Sequence, residues 1–313
     1  MNILFHIFII IICCLVLWGG ACWLVDSAAR LAKRLGISEL VIGLTIVAFG
    51  TSAPEFAVTI AAALGGNPDI SVGNIVGSNI FNIGFILGGC ALLISLRSRP
   101  SLVWRDGLLL LGVTLLLMYF LRDQQLTRPE GAILFAILLA YLFYLSVKRE
   151  PILDEELSVK SATWRDGLLL PLSLLMIIAG GYFLKESAVK IALAYKLSEW
   201  VIGVTIVAAG TSVPEFAISL IALLKRHHGL SAGNLIGSNI FNTLGVLGLA
   251  GTLHPLQVES SSLFSIGALA VLTLLVLIFL RTGWKISRWE GLLLLLLSLA
   301  VWLYNIFVFA RPE

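Results

Sequence analysis

The sequence predicts an all-α integral membrane protein of ten transmembrane helices, arranged as two inverted five-helix repeats with broken helices 2 and 7. Three observations lead there. With 59% hydrophobic residues, 12% charged and a mean hydropathy of +1.01, the 313-residue chain carries more apolar surface than a water-soluble protein of this size can bury. Two strings recur at a constant spacing of 160: GLTIVAFGTSAPEFA (Gly43 to Ala57) as GVTIVAAGTSVPEFA (Gly203 to Ala217), and GNIVGSNIFN (Gly73 to Asn82) as GNLIGSNIFN (Gly233 to Asn242). Each copy of the first string sets a proline inside an apolar run, where its missing N–H and its ring interrupt a helix.

Hydropathy separates ten apolar segments, roughly 3–26, 38–64, 70–95, 106–121, 130–147, 166–184, 198–224, 230–253, 262–280 and 290–309. The first lacks a basic leader and is long enough to span a hydrocarbon core, and its Gly20 and Ser27 align with Gly180 and Ser187, so it is expected to be a transmembrane helix rather than a cleaved leader. The second carries GTSAPE and should break around Gly50 to Pro54. In the third, Gly73 and Gly77 allow close packing. The fourth and fifth are almost wholly apolar, and RPEG (128–131) opens the fifth. A stretch with Pro151 and the acidic run Asp154, Glu155 and Glu156 follows. The sixth to tenth repeat the series, with a break at Gly210 to Pro214 and RWEG (288–291) opening the tenth. The chain thus divides into a first repeat (1–147), a cytoplasmic linker (148–165) and a second repeat (166–313).

Five crossings per half mean that the second half enters from the opposite side. One face collects fifteen Lys and Arg, the other six (Arg122, Arg128, Lys185, Lys190, Lys196 and Arg311). The richer face is expected to be cytoplasmic, which puts both termini outside a prokaryotic plasma membrane. Trp104 and Trp164, each in a WRDGLLL string, read as interfacial anchors, each with a snorkelling Arg and an Asp near a helix N-terminus. Asp26, Glu39, Glu186 and Glu199 read as interfacial too. The net charge of +3, without basic runs among aromatics, argues against nucleic acid. Cys13, Cys14, Cys22 and Cys90 read as packing residues, and the four His show no metal spacing.

A carboxylate at membrane depth costs on the order of 3 kcal/mol or more, which singles out Glu55 and Glu215. Broken helices free carbonyls, those of Ala48 and Ala208 among them, and such backbone is tolerated only inside protein or beside a polar cavity. Thr51, Ser52 and Glu55 lie within one turn, as do Thr211, Ser212 and Glu215. Ser78 and Asn82 share a helix face, as do Ser238 and Asn242. Two copies converging near the midplane would form an all-oxygen cage with two carboxylates, the donor set of a hard cation. Asn74, Asn79, Asn234 and Asn239 read equally as ligands or as bonds across helices. A channel or Mg2+ permease fits broken inverted repeats less well. An enzyme with Thr51 or Ser52 as nucleophile lacks a His or Lys spaced to activate it.

These strings resemble the signature of the cation/calcium antiporters, specifically the prokaryotic sodium/calcium exchangers, whose paired repeats carry GTSxPE and GNxxGSNxFN. The resemblance covers nearly the whole chain. It implies a secondary antiporter, not an enzyme, with Na+ and Ca2+ competing for one central site by alternating access. It implies helices 1 and 6 sliding against the other eight. The implied ligands are Ala48, Thr51, Ser52, Glu55, Ser78 and Asn82 with Ala208, Thr211, Ser212, Glu215, Ser238 and Asn242. Some members carry Asp where this chain has Asn242, so the site here holds two charges rather than three. A Ca2+/H+ or K+-assisted antiporter is the nearest alternative, though the GNxxE strings of the calcium/proton branch are absent. The expected partners are Ca2+, Na+ and the lipid bilayer, with no resident cofactor and no obligate protein partner.

Overall fold

The computed structural model describes residues 3–66, 68–148, 162–195, 208–258 and 260–309. Its helices are α1 (Ile3–Leu35), α2 (Glu39–Thr51), α3 (Ala53–Leu64), α4 (Ile70–Leu93), α5 (Leu102–Asp123), α6 (Arg128–Val147), α7 (Trp164–Ala194), α8 (Ala208–Thr211), α9 (Val213–Leu224), α10 (His228–Leu253), α11 (Ser260–Arg281) and α12 (Arg288–Phe309). Among the described residues, seven helices are long and apolar enough to cross a membrane, and the α2–α3 pair is an eighth candidate, bent by 49°. The expected break of the second segment is therefore present, at Ser52 (φ −76°, ψ 4°), one residue before the turn that holds Pro54. Ser212 breaks the second copy in the same way (φ −90°, ψ 7°), while the linker at 149–161 and the start of the seventh segment lie outside the described residues.

Two helices outrun their expected ends. α1 continues to Leu35 and α7 to Ala194, past the expected 26 and 184. Hydropathy marks where a helix leaves lipid, not where it unwinds. Both extensions are rich in Ala and Lys, good helix formers, and the charges in α1 find partners: Asp26 Oδ1 accepts from Lys225 Nζ at 2.6 Å, and Arg30 reaches Asp166 Oδ1 at 2.7 Å.

α1 and α7 lie along one another, Gly20 facing Ile177 and Gly180 facing Leu17. With parts of α2, α9 and α10 they share one apolar cluster that includes Leu24, Ile42, Ile177 and Ile218. The other helices share a larger one. At its centre α10 is buried on every side from Leu230 to Gly248, which its Gly, Ser and Asn content permits and bulkier residues would not. A Cβ on Gly233 would stand 2.5 Å from the Leu40 carbonyl oxygen, and one on Gly237 would stand 2.8 Å from Leu44 Cα, so α2 and α10 touch backbone to backbone. Gly73 and Gly77 have no described neighbour so close; the segment aligned with Gly43, around 203, lies outside the described residues.

Four two-residue strands tie the loops: Leu96–Arg97 (β1) pairs with Lys285–Ile286 (β4), and Gln125–Leu126 (β2) with Leu256–Gln257 (β3). A shift of 160 turns each pairing into the other, register included. The RPEG and RWEG strings also find a physical account. Glu130 Oε2 accepts from Thr127 N at 2.8 Å and Glu290 Oε2 from Ser287 N at 2.7 Å, capping α6 and α12. Gly131 packs on Gly248 of α10 and Gly291 on Gly88 of α4, so the last helix of each half docks on the third helix of the other.

The two WRDGLLL strings do different work. Trp104 and Trp164 are exposed, as interfacial anchors would be, and Asp166 caps Thr163 N at 2.7 Å. Asp106, however, lies beyond the first turn, fully buried, and accepts from Arg105 and from Tyr141 Oη at 2.7 Å. Glu39 is likewise buried and meets His227 Nδ1 at 2.7 Å.

Candidate cation-binding site

The ten polar side chains of the implied ligand set lie in the protein interior. Thr51, Ser52, Glu55, Ser78 and Asn82 and their counterparts Thr211, Ser212, Glu215, Ser238 and Asn242 are all nearly or wholly inaccessible to solvent. The breaks explain how they converge. Ser52 and Ser212 end one helical run and begin another, so Glu55 and Glu215 sit in the first turns of α3 and α9, where unpaired N–H groups favour a negative charge. Thr51 and Thr211 sit in the last turns of α2 and α8, where carbonyls point the other way.

The contacts cross between the halves. Ser212 Oγ donates to Glu55 Oε1 at 3.2 Å, and Thr211 and Ser78 also flank Glu55. Thr51 and Ser238 flank Glu215, their hydroxyls 3.2 Å apart. The two carboxylates are close enough to repel one another. In a low-dielectric interior such a pair needs a proton or a cation to offset its charge.

What sets this place apart is its unmet oxygen. Ser52 Oγ, Glu55 Oε2, Ser78 Oγ, both Glu215 oxygens, Asn82 Oδ1 and Asn242 Oδ1 are buried without a hydrogen-bond partner. Buried polar atoms are ordinarily paired, so these unpaired oxygens make the region a candidate cation site. Among the described residues no group of three His, Cys, Asp or Glu forms a metal site, so hydroxyls and amides complete the pair of carboxylates.

Of the carbonyls, Ala48 O already accepts Ser52 N–H at 3.0 Å and Thr51 Oγ1 at 3.2 Å, and Ala209 O accepts Ser212 N–H at 3.2 Å.

Asn74 and Asn234 make bonds across helices, one of their two expected roles, and the hydroxyls that meet them escaped the reading of the sequence. Asn74 Nδ2 bonds Thr59 Oγ1 (3.0 Å) and Glu55 O (3.4 Å); Asn234 Nδ2 bonds Ser219 Oγ (3.0 Å) and Glu215 O (3.3 Å). Ser71 and Ser231 hydroxyls reach the Thr59 and Ser219 carbonyls at 3.1 and 3.0 Å. Hydroxyls at 59 and 219 and at 71 and 231 recur at the same spacing of 160, a signal that was available. Asn79 and Asn239 face each other's half: Asn242 Nδ2 donates to Asn79 Oδ1 and Asn82 Nδ2 to Asn239 Oδ1, both at 3.1 Å.

Comparison with known proteins agrees with this architecture. The family model described as sodium/calcium exchanger protein matches residues 5–147 and again 167–307. The chain is similar to CaxA of Alkalimonas amylolytica, at 41% identity over 93% of this chain and 95% of the relative. It is similar to the sodium/calcium exchanger MaX1 of Methanosarcina acetivorans, at 33% identity over 90% and 93%. Among solved structures it matches the sodium-calcium exchanger NCX_Mj with a TM-score of 0.84 and 30% identity, covering 99% of both chains.

Proposed function

The chain belongs to the sodium/calcium exchanger family, membrane transporters rather than enzymes, and on that premise we propose that it exchanges Na+ for Ca2+ across the cell membrane by alternating access of one central site. The observation that carries this is the set of seven unpaired buried oxygens drawn from both halves, three on the two carboxylates and four on Ser52, Ser78, Asn82 and Asn242. Glu55 and Glu215 supply the charge; Thr51, Ser52, Ser78, Asn82, Thr211, Ser212, Ser238 and Asn242 supply neutral oxygens, with the carbonyls of Ala48 and Ala208 completing the shell. Two carboxylates balance one Ca2+ or two Na+, so the ions compete by charge as well as by position. We read the chain as ten crossings in two inverted halves, 1–147 and 166–313, joined by a cytoplasmic linker at 148–165. The interchange of the β1–β4 and β2–β3 pairings under a shift of 160 supports a twofold axis between the halves. We read α1 and α7, which lie along one another, as the pair that moves against the remaining helices.

The test is radiolabelled Ca2+ uptake into proteoliposomes loaded with Na+, beside K+-loaded vesicles and vesicles with a proton gradient. Uptake that requires the outward Na+ gradient is expected. Uptake driven by protons or K+ would contradict the coupling ion, and no Ca2+ movement under any gradient would contradict the substrate.

A further inference from the structure

An asparagine ligand poses a problem that a carboxylate does not. The two ends of its amide have nearly the same shape but opposite polarity, so packing alone does not decide whether oxygen or NH2 faces a cation. Something must hold the nitrogen.

At Asn242 the structure shows what does. Its Nδ2 donates to Asn79 Oδ1 at 3.1 Å, leaving Asn242 Oδ1 buried and unpaired in the site. Asn79 is in turn fixed from its other end: its Nδ2 donates to Thr243 Oγ1 at 2.9 Å and to Asn239 O at 3.4 Å. The Thr243 hydroxyl donates to Asn239 O at 3.0 Å, so it faces Asn79 with lone pairs. The donors all run one way, from Asn242 to Asn79 to Thr243 to a backbone carbonyl, and every member is buried. At Asn82 the arrangement starts alike, with Nδ2 donating to Asn239 Oδ1 at 3.1 Å and Oδ1 unpaired. There it stops. Asn239 Nδ2 has no partner, and the residue 160 positions before Thr243 is Ile83.

We infer that Asn79 and Asn239 are positioning residues that turn the carbonyl oxygens of Asn242 and Asn82 toward the ion, and that Thr243 locks this orientation at Asn242 alone. The inference rests on the exchanger reading of the site. It carries an asymmetry that the sequence repeat hides. A carboxylate at 242 would present oxygen to the Asn79 oxygen, and Asn79 turns over only by giving up its bond to Thr243. A carboxylate at 82 meets an Asn239 whose amide nitrogen is held by nothing and can turn to donate. The chain is thus built for a neutral ligand at 242 and is more permissive at 82.

The test is a cycle read in reconstituted Na+-dependent Ca2+ uptake, separating KM from maximal rate. Thr243→Val keeps the shape and removes the hydroxyl, and should raise the Ca2+ KM about fivefold, the worth of one neutral hydrogen bond, with the maximal rate held. Thr243→Ser restores the hydroxyl and should return the wild-type KM. In an Asn242→Asp background there is no amide to orient, so adding Thr243→Val should leave the KM unchanged or lower it. A wild-type KM in Thr243→Val, or an equal rise in both backgrounds as a packing defect would give, would overturn the inference alone. Wild-type chain without saturable Ca2+ uptake would instead overturn the exchanger reading beneath it.

Discussion

Glu55 and Glu215 are the residues on which the account turns, because a buried pair of like charges is the costliest feature of the molecule and has no structural use. Exchange of either for Gln removes half of the site's charge while keeping its shape. Since oxygen-ligand sites set Ca2+ affinity largely by ligand charge, Glu55→Gln and Glu215→Gln should each reduce Ca2+ uptake about a hundredfold or more, measured as initial rates in proteoliposomes. At this scale the sequence was highly legible. The candidate ligands recur at a constant spacing, and a carboxylate in an apolar run announces itself. What could not be read was the partner of each polar atom. Asn79 sits in the repeated string, but its role depends on Thr243, which the other copy replaces with Ile83, and on an amide orientation that only three dimensions reveal.

The broken helices are the elements that make the site, and Pro54 and Pro214 located both breaks in advance. Other features of the helices around the site carried no signal. Wider π turns occupy Gly43–Val47, Asn82–Leu87 and Phe241–Leu247, beginning at Asn82 in one copy and enclosing Asn242 in the other. Such turns commonly occur at functional sites and rotate the residues that follow. The α2–α10 contact gives a prediction at this scale. Gly237→Ala would place a methyl 2.8 Å from Leu44 Cα and from Ala48 Cβ, forcing apart the helices that carry Ala48 and Ser238. It should cost about 1–3 kcal/mol of stability, read as a lowered midpoint in detergent thermal unfolding. Gly112→Ala on α5, where a Cβ meets open space, should stay within about 0.5 kcal/mol. The charged extensions of α1 and α7 were missed because hydropathy reports lipid contact. In α1 they serve as tethers, Lys225 holding Asp26 at 2.6 Å, with no equivalent in the other half, where position 65 is Gly.

For the whole molecule, the Lys and Arg distribution predicts which loops face the cytoplasm, and the charge count of the site bears on voltage dependence. In a cysteine-free background, Asp123→Cys should react with an impermeant maleimide added outside intact cells, and Arg97→Cys only after permeabilisation; the reverse pattern would contradict the orientation. A transport cycle that loads a third Na+ onto two carboxylates moves one net positive charge, worth about 2.3 kcal/mol per 100 mV. If three Na+ leave for each Ca2+, Ca2+ uptake into Na+-loaded vesicles should accelerate when the vesicle interior is made positive; a rate indifferent to imposed potential is the result expected of two Na+ per Ca2+. The repeat, and the family resemblance it carries, made this scale legible; the exchange of helices between halves, α6 onto α10 and α12 onto α4, was not, because a repeat shows that two units are alike and not how they embrace.

That embrace is the central claim: one cation site assembled from both halves, not one site in each. Equilibrium binding of radiolabelled Ca2+ to the purified protein, with Na+ as competitor, tests it in wild type, Glu55→Gln and Glu215→Gln. One Ca2+ per wild-type chain, displaced by Na+ and lost in either variant, is the predicted result. Two Ca2+ per chain, with each variant retaining one, would contradict it.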